Sequence, residues 1–277
     1  MPIHKNYIFT THGARLQKIS VQNTTANLNY LLIPCPGLSS KLLMDLALIL
    51  DGKVDASLWL MDHPNDGDNL NPNYNFANWS QSIIEAVTIL DKPIVVGHST
   101  SGMMLQCIPE LEDIASGMVL IASAPDMGWK DKFNSYMQQN LTTELELAAQ
   151  VHSAHPSNES LRELLLAAIQ FSFEPTSFDA ARKMIGRLLV NYKVAEWSDL
   201  NFDPLYKAKF VPKSLATLII NGELDKIIPS RIYADNREYI RDNILIKQIN
   251  GASHYPWFEK PDDVLDAFIE FKSKINT

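Results

Sequence analysis

The chain has 277 residues, 46% of them apolar and 20% charged, enough for one large domain or a domain carrying an insertion. Its 24 basic and 32 acidic residues leave a net charge of −8 without any basic cluster, so nucleic acid and anionic membrane surfaces are not expected as partners. No apolar run approaches the ~20 residues of a spanning helix, and Met-Pro-Ile-His-Lys-Asn at the start contains no apolar signal segment, so a cytoplasmic protein is expected.

Residues 7–21 alternate apolar and polar around His12-Gly13-Ala14, which predicts an antiparallel hairpin ending near Val21. An apolar strand over 28–33 runs into Pro34-Cys-Pro-Gly-Leu-Ser-Ser40, where two prolines forbid both strand and helix. Helical spacing covers 41–50, and 57–61 is another strand. The polar stretch from Asp62 to Pro72 has Asp62, Asp66 and Gly67 at calcium-loop positions. Pro64 and Asn73 stand where ligands are needed, so it reads as a polar crossover loop. A helix capped by Asn78 or Ser80 runs to about Leu90.

Ile94-Val95-Val96 is a buried strand, followed by Gly97-His-Ser-Thr-Ser101 and a helical stripe of Met103, Met104, Cys107 and Ile108 that Pro109 ends. Residues 117–122 form the next strand. From 125 to 212 no strand is convincing. Helices are predicted near 131–151, 159–171 and 177–193. Sheet character returns at 216–220, then come Asn221-Gly-Glu-Leu-Asp225, a helix over 229–241, a strand over 244–249, a loop holding His254 and a last helix opened by Pro261-Asp-Asp. The alternation predicts an α/β fold, a mostly parallel sheet flanked by helices, with an all-helical insertion. The divisions are 1–124 for the first part of the core, 125–212 for the insertion and 213–277 for the second part of the core.

Ser99, Asp225 and His254 all stand at C-terminal ends of predicted parallel strands, the edge where open α/β sheets bind ligands. Ser99 sits at a sharp strand-to-helix turn. A serine hydroxyl becomes a useful nucleophile only with exposure, a base within reach and donors for the oxyanion. The turn supplies exposure, and the first NH groups of the helix supply a donor.

The serine turn, the acid turn at 221–225 and Gly251-Ala-Ser-His-Tyr-Pro-Trp-Phe-Glu-Lys-Pro261 together resemble the α/β-hydrolase fold family over nearly the whole chain. The serine turn departs from the family's Gly-x-Ser-x-Gly, with Ser101 in the second glycine position and Gly102 one place late. The resemblance implies Ser99 as nucleophile, His254 as base and Asp225 as its orienting acid. Asp126 is the reserve acid, and His98 is read as packing. It also implies an oxyanion hole from the NH groups of Leu38 and Thr100, with Cys35 replacing Leu38 if the alignment shifts; Pro34 and Pro36 have no NH to offer.

The implied activity is carboxylesterase-like hydrolysis of a small to medium ester, with the insertion as a cap and no cofactor. The alternatives are an amidase or aminopeptidase of the proline iminopeptidase type, for which Glu144, Glu146, Glu163, Glu174 and Glu196 are available to hold an amine, and a non-catalytic binding protein on the same scaffold. The expected partner is a small-molecule ester or amide. His152 and His155 have a spacing that could face a metal, but no third ligand is evident, so no metal site is expected.

Overall fold

The computed structural model describes residues 7–19 and 28–275. Among the described residues eight strands form one sheet in the order β1-β2-β4-β3-β5-β6-β7-β8. They are β1 (Tyr7–Phe9), β2 (Arg15–Lys18), β3 (Asn29–Ile33), β4 (Ser57–Asp62), β5 (Ile94–His98), β6 (Gly117–Ile121), β7 (Thr217–Gly222) and β8 (Ile244–Ile249). β1 and β2 pair antiparallel as the expected hairpin, whose expected end at Val21 lies outside the described residues. The six strands from β3 to β8 run parallel.

The central strands carry few polar residues because both of their faces are covered. Tyr30, Leu32, Leu58, Leu60, Val96, Ile121 and Ile220 point to one side, against α1 (Met44–Leu50) and the last helix, Pro261–Lys272. Leu31, Ile33, Val95, Leu120 and Ile219 point to the other, against Ile83 and Val87 of α2 (Trp79–Ile89). The two-residue period of a strand thus sorts each sequence run into two cores.

α3 (Thr100–Leu105) follows β5, and α4 (Leu111–Ile114) follows Pro109. Between β6 and β7 lie α5 (Lys130–Gln139), α6 (Thr143–Ala154), α7 (Asn158–Ala167), α8 (Ile169–Ser172), α9 (Phe178–Arg187) and α10 (Tyr192–Trp197). The single helix expected near 131–151 is two, because the Thr142 hydroxyl accepts from Leu145 NH at 3.2 Å and starts α6 afresh.

The helix expected over 229–241 does not form. That stretch is a run of turns with one 3-10 segment, Arg237–Tyr239. Asn236 caps it by accepting from Glu238 NH at 3.0 Å, and the Tyr233 and Tyr239 hydroxyls are drawn inward to the Gln106 amide at 2.8 and 2.7 Å. The local Asn236 bond competes with helix, and the long-range tyrosine bonds hold the stretch out of it. After β8 come the short α11 (Pro256–Glu259) and the longer α12 (Pro261–Lys272). Among the described residues no helix is long and apolar enough to cross a membrane.

Candidate active site

Ser99 stands where β5 ends and α3 begins, with φ 54° and ψ −121°. Such a backbone costs a non-glycine residue on the order of 1–3 kcal/mol, and its surroundings must hold it there. Ser99 NH donates to the Ile121 carbonyl at 2.8 Å, and the Ser99 carbonyl accepts from Met103 NH at 3.2 Å. A Cβ on Gly97 would fall 2.6 Å from Gly102 N, and one on Gly102 would fall 2.7 Å from Ser123 Oγ, so the turn closes only with glycine at both positions. Ser101 does more than stay small. Its hydroxyl accepts from His98 NH at 2.9 Å and reaches the Ile33 carbonyl at 2.7 Å, which pins the turn to the end of β3.

Asp225 lies in the turn after β7, where Oδ1 accepts from Ile227 NH at 2.8 Å and Ile228 NH at 3.0 Å. That leaves Oδ2 for His254, whose Nδ1 is 2.8 Å away, with both side chains almost wholly buried. The carboxylate oxygen has no proton to give, so Nδ1 is the donor. His254 NH donates to the Ser172 carbonyl at 3.2 Å, and its carbonyl accepts from His98 Nε2 at 3.0 Å. His98 is therefore more than packing, since it ties the histidine loop to the residue beside Ser99. Burial, then the neighbouring His254, hold its pKa well below the ordinary value, which keeps the ring neutral. Asp126, the reserve acid, is exposed after β6, bonded to Gly128 NH at 2.8 Å.

On the other side of Ser99 the Cys35 thiol donates to the His98 carbonyl at 3.1 Å. Burial pushes this thiol up to about 11, while the backbone NH groups of Thr100 and Ser101, the Ser99 hydroxyl and its own NH pull it down. The Leu38 NH is not among the groups that act on this sulfur. It donates to the Cys35 carbonyl at 3.2 Å across Pro36-Gly37, with Gly37 at φ 81°. Proline followed by a left-handed glycine is the sequence of a type II turn, and closing it folds the Leu38 NH back. The turn therefore occupies the Leu38 NH that the sequence reading expects to serve an oxyanion.

The loop 34–40 is gripped from both sides. From the end of β4 and the stretch after it, Asp66 Oδ2 accepts from Gly37 NH and Asp62 Oδ1 from Ser40 NH, both at 2.8 Å, and His63 Nε2 donates to the Pro34 carbonyl at 3.0 Å. Asp62 also pairs with Arg15. Burial pushes the Asp66 carboxyl up to about 8, against the NH groups of Gly37 and Gly67. From the helical insertion, the Leu189 carbonyl accepts from Ser39 NH at 3.0 Å, and Asn191 NH donates to the Gly37 carbonyl at 2.8 Å. Sequence reading takes 62–72 for a polar crossover loop and misses this grip, yet Asp62, His63 and Asp66 are each at most 1% exposed. The usable signal is topological: β3 and β4 are neighbours, so the loops leaving their C-terminal ends must meet. His152, with metal-like spacing, bonds the Ser160 hydroxyl at 2.8 Å instead.

No curated protein matches the chain. Solved structures do. An alpha/beta fold family hydrolase from Bacillus anthracis str. Sterne superposes with a TM-score of 0.70 at 15% identity over 96% of this chain and 98% of that one. The proline iminopeptidase-related protein of Thermus thermophilus gives 0.70 at 17% over 99% of each chain. A thermophilic esterase from Thermogutta terrifontis gives 0.65 at 16% over 99% of this chain and 100% of that one. At such identities these likenesses speak for the fold. The sequence model of the alpha/beta hydrolase family matches residues 31–267, which takes in β3 through most of α12. The chain belongs to the alpha/beta hydrolase family.

Proposed function

We propose that the chain is a serine hydrolase that cleaves a small to medium carboxylic ester through Ser99, His254 and Asp225 by way of an acyl-enzyme. The observation that carries this reading is the 2.8 Å contact from His254 Nδ1 to Asp225 Oδ2, made on the loop that His98 ties to the strained serine turn. With Nδ1 donating, His254 Nε2 holds the lone pair. It accepts the Ser99 proton as Oγ attacks the ester carbonyl carbon and returns that proton to the leaving alcohol; water then repeats the cycle on the acyl-enzyme. The carbonyl oxygen, taking up negative charge, is received by the NH groups of Thr100 and Cys35, and bound substrate displaces the Cys35 sulfur from between them.

The helical insertion acts as a cap. Partly buried Met127, Trp129, Trp197 and Ile227 pack against a cluster of Met103, Met104, Val194 and Phe202, which supports an apolar setting for the acyl or alcohol part. The aminopeptidase reading has less support. Glu144, Glu146, Glu163 and Glu196 face solvent, and Glu174 is 3.3 Å from Lys226 Nζ, so none of these acids stands ready for a substrate amine.

The test compares p-nitrophenyl butyrate with proline-β-naphthylamide and adds a fluorophosphonate probe. Ester turnover that Ser99→Ala lowers by at least about 1000-fold, with labelling confined to Ser99, is the expected result. Faster cleavage of the amide would favour the peptidase, and an unlabelled, inactive protein would favour a binding role.

A further inference from the structure

The Cys35 NH belongs to the Pro34–Cys35 peptide, which is trans. In a trans peptide the carbonyl and the NH point in opposite directions, so whatever holds the carbonyl aims the NH. The carbonyl of this peptide is held by His63 Nε2 at 3.0 Å. A carbonyl oxygen only accepts, which makes the ring nitrogen the donor and fixes the tautomer; Nδ1, buried without a hydrogen-bond partner, is the bare lone pair.

His63 is itself held firmly. It is wholly buried, its ring meets Phe76 edge-on at 5.4 Å, and its backbone carbonyl accepts from Asp66 NH at 3.2 Å and Asn69 Nδ2 at 3.0 Å. Burial lowers its pKa to about 4 against the pull of the Pro34 carbonyl and Asp62, so at neutral pH it is a neutral donor in a fixed place. A hydrogen bond to one end of a peptide group also polarises the other, strengthening the NH as a donor.

We infer that His63 is a positioning residue for the oxyanion hole: by donating to the Pro34 carbonyl it turns the Cys35 NH toward the Ser99 turn and sharpens it as a donor. The inference rests on the serine-hydrolase reading above. It differs from a merely structural role for a buried histidine. A structural role affects folding and leaves the chemistry of the folded fraction alone. A positioning role affects a bond made fully only in the transition state, so it shows in kcat and spares KM.

The test uses the full chain with His63→Phe, which keeps a ring against Phe76, and His63→Gln, whose amide restores a donor near the same point. Circular dichroism first establishes that each is folded, and His63→Leu replaces the phenylalanine variant if that one is not. On p-nitrophenyl butyrate the apolar variant is expected to lose about 10- to 100-fold in kcat, short of the ~100- to 1000-fold for deleting a donor outright, with KM nearly unchanged. Affinity for a trifluoromethyl ketone, whose adduct carries the oxyanion, should fall in parallel, and His63→Gln should recover most of both. A folded apolar variant with wild-type kcat overturns the inference, as does a fall that glutamine does not repair. If the wild-type chain neither turns over the ester nor labels at Ser99, the hydrolase reading itself fails, an outcome distinct from either of these.

Discussion

Ser101 shows how one side chain can replace a motif position and change its meaning. The family pattern asks for glycine there to save space; here the hydroxyl ties His98 NH to the end of β3. Ser101→Gly would restore the pattern and is expected to destabilise the fold by about 2–4 kcal/mol, from unpaired buried partners and a looser helix start, as read by urea unfolding. At the acid, Asp225→Asn keeps the shape but favours the wrong imidazole tautomer. kcat should fall by about 1000- to 10,000-fold while fluorophosphonate labelling slows rather than disappears. Residues of this kind are only half legible in sequence. The positions of Ser99, Asp225 and His254 at strand ends can be read from order and turn chemistry. The inward aim of His63 and Asp66 cannot, because a polar loop reads the same whether its side chains meet water or another loop's backbone.

At the level of elements, what aims the site is a set of loops bonded to one another. Gly37 is the joint: its NH goes to Asp66, its carbonyl to Asn191, and a Cβ there would sit 2.8 Å from Ala195 Cβ. Gly37→Ala adds a left-handed strain to that contact. It should lower stability by about 2 kcal/mol and reduce kcat, measured together by thermal unfolding and ester turnover. The strands and their two-sided burial are readable because a two-residue period leaves few choices. The helix expected over 229–241 fails because tyrosine hydroxyls reaching Gln106 outweigh local spacing, a long-range preference that no window of sequence contains.

For the whole molecule, buried titratable groups set how stability responds to acid and base. His63, lowered to about 4, and His98, lowered well below its ordinary 6.5, take up protons on unfolding as the pH drops below about 6.5, so stability falls toward acid. Asp66, raised to about 8 from an ordinary 3.8, releases its proton on unfolding, so its contribution is lost as the pH rises toward 8. Between about pH 4 and 6.5 proton uptake by His63 offsets the release by Asp66 and His98 tips the balance, whereas above 6.5 the acid acts alone. These groups together place maximal stability near pH 6.5, and Asp66→Asn should flatten the alkaline side, as followed by urea midpoints at about pH 5, 6.5 and 8.

The helical insertion touches the core's reactive edge through Leu189 and Asn191 on the loop 34–40, through Ser172 on His254 and through Glu174 on Lys226, beside Asp225. A graft that exchanged this insertion for a relative's would sever three backbone bonds to the loop 34–40 and to His254. Chimeras meant to alter substrate choice would therefore need to carry over residues 172 and 189–191 with their bonding intact, or accept a slower enzyme along with the new preference.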